Sequence, residues 1–140
     1  MIQRKQTLWL LLSVICAGLT FEFPFYNGTV INGTEGVTGA EITATDNVWL
    51  LLLTGLILVL GVAAIFLYKN RKLQWRLSLT GLLAGIGLIA LYVKYMGNFE
   101  PGGRISLTAL LTLGVIIGFF FALKGIRRDQ KLIKDLDRLR

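Results

Sequence analysis

Val48-Trp49-Leu50-Leu51-Leu52-Leu53-Thr54-Gly55-Leu56-Ile57-Leu58-Val59-Leu60-Gly61-Val62-Ala63-Ala64-Ile65-Phe66-Leu67-Tyr68 contains no charged residue. It matches the roughly 20 apolar residues that an α-helix needs to cross a hydrocarbon core. Such a run fits a helix in lipid, because the helix satisfies its own backbone hydrogen bonds while the bilayer solvates its side chains. Three further runs flank it: Leu8 to Phe25, interrupted only by Glu22 and Pro24, then Leu77 to Val93, and Ile105 to Leu123. The sequence therefore predicts an all-α integral membrane four-helix bundle forming one domain. Its helices span about 7–25, 48–68, 77–96 and 105–123, with an outer loop over 26–47 and a tail over 124–140.

Composition supports the same reading. Of the residues 54% are hydrophobic and 16% charged, with a mean hydropathy of +0.66, more apolar surface than a soluble domain of this size can bury. Histidine is absent and Cys16 is the only cysteine. That removes the usual zinc, haem and copper ligand sets and any intramolecular disulfide, so no cofactor or metal is expected. The net charge of +7 lies beside apolar runs, which points to anionic lipid rather than nucleic acid.

Lysine and arginine set the expected orientation. Thirteen fall on one side (Arg4 and Lys5; Lys69, Arg71, Lys72 and Arg76; then Lys124 to Arg140), against Lys94 and Arg104 on the other. Both termini are thus expected to be cytoplasmic. Trp9, Tyr68 and Trp75 then fall at the inner interface, and Phe25, Tyr26, Trp49, Tyr92 and Tyr95 at the outer one, as half-polar rings prefer. Arg4 and Lys5 before Leu8 to Leu19 also resemble the start of a secretory signal. Ile15 precedes Cys16 where a lipoprotein signal needs a small residue, and no Ala-x-Ala follows, so the run is read as a retained helix.

The outer loop carries Asn27-Gly28 and Asn32-Gly33 around Thr29, Val30 and Ile31, which predicts a small hairpin or irregular cap resting on the helix ends. Asn27-Gly28-Thr29 and Asn32-Gly33-Thr34 also fit the glycosylation pattern, but the turn reading takes precedence. In the tail Ile126, Leu132, Ile133, Leu136 and Leu139 gather toward one face among basic residues. This predicts an amphipathic cytoplasmic helix on the inner leaflet, with Arg4, Lys5, Arg127, Arg128, Lys131, Lys134 and Arg138 as the contacts to lipid or a partner.

Gly81 and Gly85 in the third helix, and Gly114, Gly118 and Ala122 in the fourth, are small residues on one face and predict close packing of these two helices. Glu22 and Lys94 lie near the outer helix ends, either anchored at the interface or paired with each other. Ser13, Ser78 and Ser106 have no histidine to activate them, and Cys16 sits deep in an apolar helix, so an enzyme is not expected.

The start, Met1-Ile2-Gln3-Arg4-Lys5-Gln6-Thr7 running into Leu8 to Leu12, and the end, Ile126-Arg127-Arg128-Asp129-Gln130-Lys131-Leu132 closing with Asp137-Arg138-Leu139-Arg140, resemble an uncharacterised family of small four-helix inner-membrane proteins from Bacteroidota. The resemblance implies a bacterial inner-membrane location and supplies no activity. It suggests that Gln3, Arg4, Arg127, Arg128, Asp129, Asp137 and Arg138 belong to a family pattern where the N-terminal stretch meets the tail. Small multidrug transporters also have four helices, but their glutamate lies in the middle of the first helix, whereas Glu22 stands at its end. The expected function is a non-catalytic accessory or scaffold subunit, bound to another membrane protein or to itself and to anionic lipid. The alternative is a small oligomeric transporter or channel, and an intramembrane enzyme ranks third.

Overall fold

The computed structural model describes residues 2–32, 36–97 and 103–138. Four helices and three short strands follow in the order α1 (Ile2–Leu19), β1 (Tyr26–Asn32), β2 (Gly36–Ile42), α2 (Val48–Phe66), α3 (Arg71–Met96), β3 (Arg104–Ile105) and α4 (Ala109–Arg138). Gly33, Thr34, Glu35 and Glu100, and the side chains of Gln3, Arg4, Asp137 and Arg138, lie outside the described residues.

The four helices form the expected bundle, in which each packs antiparallel on its neighbours. Gly125 on α4 faces Gln6 on α1, Gly118 faces Ser13, and Gly114 faces Cys16. On the other flank Gly81 of α3 faces Phe119, and Gly85 faces Ile116 and Val115. The side chain of Gln74 on α3 donates to the Ala64 carbonyl of α2 at 3.0 Å.

Burial in each helix follows a seven-residue rhythm. The buried seam is Gln6, Leu10, Ser13 and Ala17 along α1 with Thr20 just after it, and Leu50, Thr54, Ile57, Gly61 and Ala64 along α2. It continues with Gln74, Ser78, Gly81, Gly85, Leu88 and Tyr92 on α3, and Thr112, Val115, Phe119, Ala122, Ile126 and Asp129 on α4. Alternating steps of four and three keep one stripe on the neighbouring helix, as in left-handed bundles. The opposite faces are apolar yet exposed, including Leu52, Leu56, Val59 and Phe66 on α2 and Leu110, Leu113, Ile117 and Phe120 on α4. A bundle whose small and polar residues face inward and whose leucines face outward suits lipid as its solvent.

Small residues set the spacing inside. The Phe119 ring, fully buried, lies against Gly61 of α2 and Gly81 of α3, where an added Cβ would come within 3.6 Å and 2.6 Å of it. A Cβ at Gly118 would stand 2.7 Å from the backbone oxygen of Trp9, so α1 and α4 approach nearly backbone to backbone. Hydroxyls on the seam turn back on helix carbonyls: Thr54 to Leu50 at 2.8 Å, and Thr20 to Ala17 and Thr112 to Ala109 at 2.7 and 2.6 Å. Ser13 Oγ reaches both the Trp9 carbonyl and, across the interface, the Val115 carbonyl, each at 3.2 Å. These four hydroxyls are spent on backbone acceptors, whereas Ser78 Oγ and Tyr92 OH on α3 are buried without a hydrogen-bond partner among the described residues.

Several boundaries differ from the sequence expectation. Helix α1 stops at Leu19 rather than Phe25, because Pro24 has no N–H to give the Thr20 carbonyl, its ring would clash with that carbonyl in a helix, and it disfavours helical backbone at Phe23; a turn over 20–22 follows. At a rise of 1.5 Å per residue α1 is roughly 27 Å long, just under the hydrocarbon thickness. Three helices, α2, α3 and α4, are long and apolar enough to span a membrane, and the apolar part of α1, Lys5–Leu19, is shorter. Helix α3 begins at Arg71 rather than Leu77, since Asn70 caps it by accepting from the Leu73 N–H.

The fourth helix starts at Ala109, and its proposed first residue, Ile105, is in a strand. It then runs without a break through Lys124 to Arg138. The tail is helical as expected, and it is the continuation of α4 rather than a separate helix. No glycine or proline breaks the chain after Gly125, and Asp129 is tied to two other helices.

At the opposite end of the bundle the loop does form a hairpin, with register from Tyr26↔Ile42 to Asn32↔Gly36. Asn27-Gly28 is part of strand β1 and not a turn. The third strand, β3, pairs with β1 through Tyr26↔Ile105 and Asn27↔Arg104. Tyr26 and Ile42 join the core, and Phe25 stacks on Tyr92 with ring centroids 4.2 Å apart. The sheet thus lies on the helix ends, as a three-stranded sheet without a core of its own must.

Candidate functional site

The N-terminal end of α1, the start of α3 and the extension of α4 meet at the basic end of the bundle. Three buried polar side chains project here from seam positions where apolar ones would be expected: Gln6, Gln74 and Asp129, each no more than 5% exposed. Gln6 Nε2 donates to Asp129 Oδ2 at 2.6 Å, a charge-assisted bond. Arg71 Nη1 approaches the same oxygen at 3.6 Å. Gln130, the next residue of α4, donates from Nε2 to the Arg71 carbonyl at 2.9 Å. One carboxylate therefore ties α1, α3 and α4 together, while Gln74 ties α3 to α2.

Local sequence makes this convergence possible. Gly125, one turn before Asp129, has no Cβ; one placed there would fall 2.7 Å from Gln6 Cγ. The amide of Gln6 thus lies against the α4 backbone before it reaches Asp129. On the α3 side the Arg127 guanidinium sits 5.1 Å from the centroid of Trp75, a cation–π contact that orients the cation. Two polar atoms at this end are buried without a hydrogen-bond partner among the described residues, Asp129 Oδ1 and Trp75 Nε1.

Outward of this cluster Arg127, Arg128, Lys131 and Lys134 are exposed, as is Lys5 on α1. The arrangement is a basic ridge beside a buried carboxylate, Asp129, whose cationic partner Arg71 is partly exposed. Among the described residues there is no group of three histidine, cysteine, aspartate or glutamate side chains placed to hold a metal. The buried polar residues of the middle of the bundle, Ser13, Thr54, Ser78 and Thr112, carry no charge.

The remaining sequence candidates distribute differently. Gly81 and Gly85 face α4, whereas Gly114 and Gly118 face α1 instead of α3, and Ala122 is fully buried. The glycine rows therefore mark two interfaces of α4 and not one. Glu22 and Lys94 are both exposed and, among the described residues, do not pair; the ion pair found is Arg71–Asp129. Glu22 sits in the turn after α1, where its N–H bonds the Leu19 carbonyl, because α1 ends before it and leaves its side chain in the surface turn.

Gln6, Gln74 and Arg71 were absent from the sequence candidates. The signal that marks the first two is periodic: Gln6, Ser13 and Thr20 recur every seven residues, as do Gln74, Gly81 and Leu88. A polar residue in phase with a small-residue seam belongs to the interior.

Neither a curated protein nor a solved structure matches the chain. A family model described as a domain of unknown function, DUF4293, matches residues 2–139. That span takes in α1 through α4 together with the polar cluster at their shared end, and the chain belongs to this family.

Proposed function

We propose that the chain is a non-catalytic accessory subunit of the bacterial inner membrane, with both termini cytoplasmic, that presents its basic ridge to an acidic partner of a larger membrane complex. The observation that carries the reading is the unbroken α4, anchored by Asp129 to Gln6 and Arg71 at the level where its basic residues begin. A flexible basic tail would suffice for loose lipid attraction. A helix tied to two others holds Arg128 beside them and directs Lys131 and Lys134 along the same axis, which favours recognition of a defined surface. The thirteen to two distribution of Lys and Arg supports the orientation.

The transporter reading has less support. Glu22, the residue it requires, is exposed in a surface turn, and the buried side chains in the middle of the bundle are uncharged.

The test is isolation of the tagged full chain from its native membrane in mild detergent, with mass spectrometry and sizing of what accompanies it. A stoichiometric protein partner that falls at least about tenfold in the variant Arg128→Glu/Lys134→Glu is expected, a loss of about 1.4 kcal/mol or more. A homo-oligomer with no other component, unchanged by the charge reversals, would contradict the proposal and bring the transporter reading forward.

A further inference from the structure

A groove of about 330 Å³ runs along the α3–α4 flank just outside the buried seam, lined by Leu79, Leu82, Phe120, Leu123, Lys124 and Arg127. Its size is at the lower end of small-molecule sites, roughly 300–1,000 Å³. The order of its lining is the informative feature. Phe120, Leu123, Lys124 and Arg127 fall on one face of α4 at helical spacing, and Leu79 and Leu82 follow Trp75 on one face of α3. The groove is apolar toward the middle of the bundle and cationic toward the basic end.

Among the described residues neither Lys124 nor Arg127 forms an ion pair, and the nearby carboxylate, Asp129, is turned inward onto Gln6 and Arg71. Arg127 is held by the Trp75 ring at 5.1 Å. Lys124 is also the first charged residue of α4 after fifteen uncharged ones from Ala109 to Leu123, so the mouth lies where hydrocarbon gives way to headgroups. Phe120, 55% exposed, forms one wall and leaves the groove open along its length to the surrounding lipid.

We propose that this groove binds one anionic glycerophospholipid, an acyl chain lying along Leu79, Leu82, Phe120 and Leu123 and the phosphate resting on Lys124 and Arg127. Charge complementarity selects the anionic headgroup, and the apolar walls select a chain over a soluble anion. The proposal rests on reading α3 and α4 as membrane spans. It is independent of which face of the membrane the basic end occupies, provided the test bilayer carries anionic lipid in both leaflets.

The test is to place the full chain in symmetric bilayer discs of equal phosphatidylglycerol and phosphatidylcholine, then release it and count retained lipids by native mass spectrometry. One phosphatidylglycerol per chain is expected in preference to phosphatidylcholine. Lys124→Gln/Arg127→Gln is expected to reduce its retention roughly thirtyfold, the effect of two cations beside an anionic headgroup. Lys94→Gln/Arg104→Gln removes the same charge from the opposite end and should leave retention unchanged. Leu82→Trp, which keeps both cations and fills the apolar half, should also abolish retention.

Equal retention of the two lipids, equal losses in both charge variants, or full retention by Leu82→Trp would each overturn the proposal. Failure of the chain to enter discs at all would instead refute the membrane reading beneath it.

Discussion

Phe119→Ala is expected to lower the stability of the bundle by about 3 kcal/mol, near the lower bound for removing a buried aromatic ring. Phe119 is fully buried and its ring occupies the space left by two glycines on different helices, Gly61 and Gly81. In lipid the lost term is contact, because the acyl chains around a separated helix solvate phenylalanine about as well as the bundle does. The same geometry predicts a coupling. Gly81→Ala sets a Cβ 2.6 Å from the ring carbons Cε1 and Cζ, an overpacking that costs about 1–3 kcal/mol with the ring present. With the ring removed, that cost should largely vanish, giving an interaction of about 1 kcal/mol or more in the double-mutant cycle. Denaturant titration in mixed micelles measures all four corners. A Gly81→Ala cost that is the same with and without Phe119 would show that the ring does not fill this space.

The second large effect is expected at the basic end. Asp129→Ala leaves the buried Gln6 amide without its acceptor and removes the anion beside Arg71. Arg71 retains a route to water, with 28% of its side chain exposed. The expected loss is therefore about 2 kcal/mol, below the 3–5 kcal/mol found when one member of a fully buried pair is deleted. Asp129→Asn keeps an acceptor for Gln6 and should lose about half as much. Replacing both partners, as in Gln6→Met/Asp129→Leu, removes the desolvated groups together and should be less harmful than Asp129→Ala alone. If the double variant were the more unstable of the two in the same titration, the Gln6–Asp129 bond would not be the interaction that joins α1 to α4.

The parts of this fold that depend on local chemistry are readable from the chain. Helix α2 is an example: Asn47 caps it, accepting from the Trp49 N–H at 3.3 Å, and no charged residue interrupts it before Leu67. The hairpin follows from the β-branched residues near Val30, although the strand extends through Asn27-Gly28 because pairing with Glu41 and Ala40 outweighs the turn preference of that dipeptide. Strand β3 is not readable. Arg104 and Ile105 form it only because Tyr26 and Asn27 lie beside them, and Ile105 taken alone continues the apolar run of α4.

The candidate site is less legible for the same reason. Asp129 looks like one of three acidic residues scattered through a basic tail, and its partners are 123 and 58 positions away in the sequence. Its phase on α4, seven residues after Ala122 and fourteen after Val115, marks it as inward-facing. The identity of its partners requires the antiparallel register of α1 against α4, which Gly114, Gly118 and Gly125 set through contacts at Cys16, Ser13 and Gln6. Equally, an isolated pair of glycine rows on α3 and α4 suggests one interface. Only the bundle geometry assigns the α4 row to α1.

Everything proposed for the basic ridge depends on the side of the membrane it occupies. The direct measurement is thiol labelling of intact cells with a membrane-impermeant reagent, in a Cys16→Ala background with single cysteines at Thr45, beside the sheet, or at Lys134, on the α4 extension. The account predicts that Thr45→Cys is labelled in intact cells and Lys134→Cys only after the membrane is opened. Labelling of Lys134→Cys in intact cells, or of both positions from the same side, would contradict it.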